Sequence, residues 1–185
     1  YTIQENPYAR FLSLTTEDGL SHNHILDIIQ DEHHYLWIAT INGLNRYDGQ
    51  LLKSYHNDPN DNSSILPGIV SCLDEDVNGR LWIGTESGLC TYDSDSDKFN
   101  QINIDYQNID VSYVRAILNE GDSLLWIDVV SGFLLKFDKK KNQVIQAWEH
   151  IQLWQPYYYY HDIYRDSTGL LWLGVRGLSP LYLDE

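Results

Sequence analysis

The chain has 185 residues, 43% of them hydrophobic, with 14 tyrosines, 6 tryptophans and a formal net charge of −15. That length suffices for one substantial domain. The acidic balance argues against nucleic acid, anionic membrane surfaces and polyanionic glycans as partners, although ordinary solubility accounts for the same charge. No run of about 18 apolar residues is present, so no segment of the sequence reads as a membrane span.

No secretory leader is recognisable at Tyr1, as expected of a mature or trimmed chain. Residues 1–24 precede the first repeat, and Phe11, Leu12 and Leu14 form a strand-like run with no local partner. From there one stretch recurs four times: Leu36-Trp37-Ile38-Ala39-Thr40, Leu81-Trp82-Ile83-Gly84-Thr85, Leu125-Trp126-Ile127-Asp128-Val129 and Leu171-Trp172-Leu173-Gly174-Val175. The tryptophans stand 45, 44 and 46 residues apart. A fixed period of that size is the span of one four-stranded propeller blade. An acid lies six residues before each Trp (Asp31, Asp76, Glu120, Asp166), and a glycine follows five or six residues after it (Gly43, Gly88, Gly132, Gly177).

Each copy reads as an antiparallel meander. A β-rich first strand ends in turn chemistry, and the Trp strand is apolar on successive residues, the pattern of a strand buried on both faces. The residue two beyond Trp is Ala39, Gly84 or Gly174, which leaves room for an adjacent blade; Asp128 breaks this rule. A glycine turn leads to a third strand, and a more polar fourth strand forms the outer edge. The fold expected is therefore all-β, a propeller-type array of four four-stranded antiparallel blades, either closed or part of a larger propeller. The blades span about 22–56, 66–104, 111–148 and 157–185, all within one region 1–185. The last repeat ends without an outer strand, and residues 10–15 are expected to supply it.

Cys72 and Cys90 fall on the first and third strands of one blade. With the Trp82 strand between them their Cα atoms should be about 9–10 Å apart, beyond the roughly 7 Å limit of a disulfide, so two free thiols are expected. Asp74, Asp76, Asn78 and Gly79 match the first half of a calcium loop. The acid required eleven residues after Asp74 is absent, however, Thr85 standing there, and an Asn-Gly hairpin accounts for the same residues. The seven histidines show no zinc-ligand spacing, and no nucleophile elbow, HExxH or P-loop motif is present. No catalytic residue, metal or cofactor is expected.

Two sets of residues are candidates for binding. Eleven residues before each Trp the first strands carry Leu26, Ser71, Arg115 and His161, equivalent positions that approach the axis if the first strand is innermost. A two-residue Gly121-Asp122 turn would set Arg115 opposite Asp128, either as a self-satisfied ion pair or, with His161, as the polar wall of an axial pocket. The second set is the aromatic segment Trp148, Trp154 and Tyr157-Tyr158-Tyr159-Tyr160. Its rings, Trp154 and Tyr158 foremost, either stack on sugar rings or pack between blades.

Leu81-Trp82-Ile83-Gly84-Thr85-Glu86-Ser87-Gly88-Leu89 with Tyr92-Asp93, and the opening Glu17-Asp18-Gly19-Leu20-Ser21, resemble the two-component regulator propeller repeat. The resemblance covers essentially the whole chain. It implies the extracytoplasmic, periplasmic sensor region of a hybrid two-component histidine kinase whose parent is membrane-anchored, with the kinase activity elsewhere. It further implies an oligosaccharide ligand and control of carbohydrate-utilisation genes. The alternative is a platform for protein–protein interaction or oligomerisation, meeting further blades or another copy of the chain without a small-molecule site.

Overall fold

The computed structural model describes residues 12–150, 161–175 and 179–183. Each Trp-centred repeat folds as a meander. Blade 1 comprises β1 (Ile25–Gln30), β2 (Leu36–Thr40), β3 (Gly43–Tyr47) and β4 (Leu52–Tyr55); blade 2 comprises β5 (Val70–Glu75), β6 (Leu81–Thr85), β7 (Gly88–Asp93) and β8 (Lys98–Ile102). Blade 3 comprises β9 (Val114–Glu120), β10 (Leu124–Val129), β11 (Phe133–Asp138) and β12 (Gln143–Glu149). Blade 4 shows β13 (His161–Arg165), β14 (Leu171–Val175) and β15 (Leu181–Leu183), three strands among the described residues. In every sheet the strands pair in sequence order, and the four sheets follow one another as the blades of a β-propeller. Among the described residues no helix is long and apolar enough to cross a membrane.

Alternation along the Trp strands divides the core into seams. Trp37, Ala39, Leu44 and Tyr55 of blade 1 pack on Leu73, Ile83, Cys90 and Tyr92 of blade 2. Trp82 and Leu89 of blade 2 meet Val114, Ile117, Ile127 and Leu135 of blade 3, and Trp126 and Leu134 of blade 3 meet Ile163 and Leu173 of blade 4. Blades 1, 2 and 3 thus bury their Trp faces against the apolar face of the next, and continuous apolarity of the middle strand is what two-sided burial requires. Gly84 is needed for this approach: a Cβ there would collide with Cys72 Sγ and lie 2.8 Å from Val114 Cγ1 of the next blade.

The acid six residues before Trp has a structural role that its position alone did not reveal. Each indole N–H donates to that carboxylate: Trp37 to Asp31 at 2.7 Å, Trp82 to Asp76 at 3.0 Å, Trp126 to Glu120 at 2.6 Å and Trp172 to Asp166 at 2.7 Å. In blades 1, 2 and 4 the second carboxylate oxygen accepts amides of the hairpin turn, such as Asn78 and Arg80 on Asp76. The hairpin reading of Asp76-Val77-Asn78-Gly79 is therefore the observed one, with Gly79 at φ 73°. One side chain satisfies a buried indole and sets the turn, which explains the repeat of that pair.

Cys72 and Cys90 are free and buried, with β6 between their strands. Burial raises both thiols, that of Cys90 to about 12. Of the expected closing strand 10–15, Arg10 and Phe11 lie outside the described residues and 12–15 form no strand. Instead Thr15 caps a short 3-10 turn, Thr16–Asp18, its side chain accepting from Glu17 N while Asp18 reaches back to Thr15 N. The chain then lies over the outer side of blade 1, where Ser21 N donates to Asn45 Oδ1 and Ser54 Oγ to Gly19 O. Asn45 sits where blades 2 and 3 place Cys90 and Leu135.

Candidate functional site: an acidic axial cavity

The first strands β1, β5, β9 and β13 converge around a cavity of about 470 Å³. Its polar wall consists of Asp27, Ser71, Asp74 and Asp162, set among Leu26, Leu73, Ala116, Ile117 and Ile163. The innermost strands of neighbouring blades do not form a common sheet, and side chains staple them instead. Asp27 Oδ2 accepts Leu73 N at 2.7 Å, Asp74 Oδ2 accepts Asn119 N at 2.6 Å, and Ser71 Oγ donates to Val114 O at 2.5 Å.

Burial pushes the Asp27 and Asp74 carboxyls above the usual carboxylate range, against the lowering effect of the amides they accept. Repulsion adds to the rise, from Asp162 on Asp27 and from Asp27 on Asp74. None of these three acids was among the sequence candidates for ligand binding; Asp74 was considered only as part of a calcium loop. The available signal was an acid inside a strand otherwise written in Ile, Leu and Val, as in Ile25-Leu26-Asp27-Ile28-Ile29.

The positions eleven residues before Trp do share a structural feature in three blades. Leu26, Ser71 and Arg115 each occupy a bulge, skipped between paired residues 25 and 27, 70 and 72, and 114 and 116. In blade 4 the register runs unbroken, with His161 paired to Val175. A bulge re-aims side chains and ends regular pairing, and Leu26 and Ser71 reach the cavity wall from it.

The expected pairing of Arg115 with Asp128 across the sheet is corrected by this register. The β9–β10 connection takes three residues, 121–123, so Ala116 stands opposite Asp128 and Arg115 falls in the bulge. A one-residue slip moves every side chain to the other face. Asp128 has no exposed surface, and its Oδ1 lies 2.6 Å from Nε2 of His150, one of the histidines to which the sequence assigned no ligand role. Trp154 and Tyr158 lie outside the described residues. Trp148 packs against Trp126 with ring centroids 5.5 Å apart, so it belongs to the core of the seam between blades 3 and 4. Among the described residues no group of three or more His, Cys, Asp or Glu could hold a metal ion.

Residues 19–42 and 64–87 match the family model described as the two-component regulator propeller. Histidine kinase P4 of Formosa agariphila is 44% identical over 61 residues, which are 33% of this chain and 4% of that protein. The extracellular domain of BT4673 from B. thetaiotaomicron, described as a hybrid two-component system, superposes with a TM-score of 0.72 at 20% identity. That match covers 88% of this chain and 24% of the neighbour. The extracellular domain of BT3049 from the same organism gives 0.51 at 21% identity, over 92% and 30% of the two chains. The chain therefore spans about a quarter of these structural neighbours and a small fraction of the curated relative, and the structural likeness is one of fold. The matched stretches overlap two of the four Trp–acid blades, so the likeness to the two-component regulator propeller model is carried by blades 1 and 2, and blades 3 and 4 repeat the same meander.

Proposed function

We propose that the chain is the ligand-sensing, extracytoplasmic propeller segment of a periplasmic-facing hybrid two-component sensor, and that it responds to neutral glycan fragments and so controls carbohydrate-utilisation genes. In this reading the parent carries the histidine kinase activity elsewhere and the propeller is not itself an enzyme. The observation that carries it is the axial cavity, a concave site of about 470 Å³ where four blades contribute to one wall. Carboxylates accept hydrogen bonds from sugar hydroxyls, and charge-assisted bonds of this kind are the stronger ones. The same carboxylates repel sulfate and uronate groups, in keeping with the net charge of −15. Arg115, by its equivalence to Leu26 and Ser71 in the first-strand bulge, belongs to the rim of the proposed site. The relatedness to a histidine kinase supports the parent's class. A thermal-shift panel of neutral, uronate-bearing and sulfated oligosaccharides tests the proposal, because a ligand that binds only the folded state raises Tm. At least one neutral member should raise Tm in proportion to its concentration; a panel in which only anionic members do so overturns the reading.

A second reading, an assembly platform, is favoured by the outward face of blade 4. There Tyr164, Trp172 and Tyr182 form a cross-strand aromatic row, with Tyr164 63% and Tyr182 61% exposed. In every other blade the corresponding face is covered by the next blade. A concentration-dependent molecular mass that falls to the monomer in Tyr182→Glu would support it.

A further inference from the structure

The seams between blades are not equivalent in charge. At the seam of blades 2 and 3, Asp76 Oδ2 holds the Trp82 indole and also meets Lys139 Nζ of blade 3 at 3.4 Å, a nitrogen that donates further to Asn119 Oδ1 and Gly121 O at 3.0 Å each. At the seam of blades 3 and 4, Glu120 Oε2 holds the Trp126 indole and meets Arg165 of blade 4 at 3.1 Å. Each time the following blade brings a cation onto the carboxylate that fixes the tryptophan. In the repeat, Lys139 and Arg165 correspond to Ser94 and Glu75 of blade 2. Asp31, the carboxylate that fixes Trp37, therefore faces a serine and a second acid.

This first seam contains a cavity of about 410 Å³, lined by different residues from the axial one, among them Asp31, Tyr35, Arg46, Glu75, Ser94 and Asp95. Arg46 is turned to other partners. Its guanidinium lies over the Tyr35 ring at 4.8 Å, and its NH1 donates to the Tyr92 hydroxyl at 2.7 Å and lies 3.9 Å from Asp97. Both oxygens of Glu75 accept from Glu32 N, at 3.0 and 3.2 Å, so the loop of blade 1 is tied to blade 2; His33 also lines the cavity near this carboxylate, but no lysine or arginine among the described residues pairs with it as Lys139 and Arg165 do at the later seams. Burial and the neighbouring Asp31 and Glu32 charges raise the Glu75 carboxyl, against the lowering effect of the Glu32 amide and of His33.

We propose that the seam between blades 1 and 2 is a binding site for an organic cation, a primary ammonium group carried by a small polar ligand such as an amino sugar. The ammonium takes the place between Asp31 and Glu75 that Lys139 Nζ takes at the next seam, and Tyr35 offers an aromatic edge to the ligand body. An ammonium donates three hydrogen bonds and relieves like-charge repulsion between the two acids, which a neutral hydroxyl in the same position does not.

Calorimetric titration of the 185-residue chain with glucosamine, glucose and N-acetylglucosamine tests this, because the three differ at one substituent. Glucosamine should bind at least about tenfold more tightly than the other two. Ser94→Lys, which places a lysine where blade 3 carries Lys139, should abolish glucosamine binding, and Glu75→Gln should weaken it comparably without adding bulk. Asp162→Asn at the axial cavity should leave it intact, which separates this site from the axial one. Equal binding of glucose and glucosamine, no heat with glucosamine, or binding retained in both seam variants overturns the proposal.

Discussion

Blades 2 and 4 share the same central strand, Leu-Trp-Ile/Leu-Gly, yet one lies inside the stack and the other has an open face. At Gly84 the space a Cβ would need is taken by Val114 of the next blade, whereas at Gly174 the nearest atom is Asp162 Cβ of its own blade, 3.7 Å away. Trp82 is buried and Trp172 half-buried. Both indoles nonetheless donate to their acid in the same way. The repeat therefore specifies two separable things. The Trp–acid pair builds a blade from within, and the small residue two beyond Trp matters only when another blade arrives.

The largest expected effect concerns the charges of the closed seam. Lys139 and Asp76 are both 4% exposed, while Lys140 and Asp122, in the same turn region, are 64% and 58% exposed. Lys139→Ala leaves Asp76 without its cation in a buried site and should cost about 3–5 kcal/mol. Lys140→Ala should cost less than about 1 kcal/mol. Urea unfolding of both variants gives the comparison, and similar losses would show that the seam charge is not structural.

A smaller effect separates the two glycines. Gly84→Ala forces a methyl into Cys72 and Val114 and should destabilise by about 1–3 kcal/mol. Gly174→Ala makes only ordinary contact with Asp162 and should be neutral or stabilise by up to about 1 kcal/mol through the unfolded chain. A matched loss at both positions would mean that the face of blade 4 is covered in solution.

The smallest effect is in the pH profile, where axial and turn carboxylates act in opposite senses. Asp27 and Asp74 have raised folded values, so as pH falls from neutral the folded state takes up protons first and is stabilised. Asp97 and Asp166 are held down to about 2, Asp97 by Lys53, Tyr92 and Tyr55, and Asp166 by Thr168 and the Trp172 indole. Their contribution is complete above the unfolded carboxylate value of about 4 and is lost as pH falls toward 2. In Asp27→Asn/Asp74→Asn the gain on mild acidification should shrink to the part that the raised Glu75 carboxyl supplies, while the loss at lower pH persists. An unchanged profile above about pH 4 would contradict the assignment to the axial pair.

The blades were legible in the sequence because period, apolar run and turn residues repeat with little change, and the free cysteines followed from strand order alone. The site was less legible, for reasons of register. A three-residue connection in place of a two-residue one moved Arg115 out of line with Asp128 and into a bulge, and nothing in Glu120-Gly121-Asp122-Ser123 distinguishes the two lengths. The axial acids were hidden because they follow no single repeat position: Asp27 and Asp162 stand ten residues before their Trp and Asp74 eight, and Asp27 and Asp74 accept different amides, those of Leu73 and Asn119. The absence of a lysine or arginine on Asp31 at the first seam emerges only when Glu75 and Ser94 are aligned with Arg165 and Lys139, one pair on the first strand and the other in the turn after the third.

The most direct test of the axial site is calorimetric titration of a neutral oligosaccharide that raises Tm, into the original chain and into Asp162→Asn. Asp162 is exposed on the cavity wall, so the variant should keep its unliganded Tm. The account predicts one site per chain and an affinity at least about tenfold lower in the variant. An unchanged affinity in a folded Asp162→Asn chain would place the ligand elsewhere and contradict it.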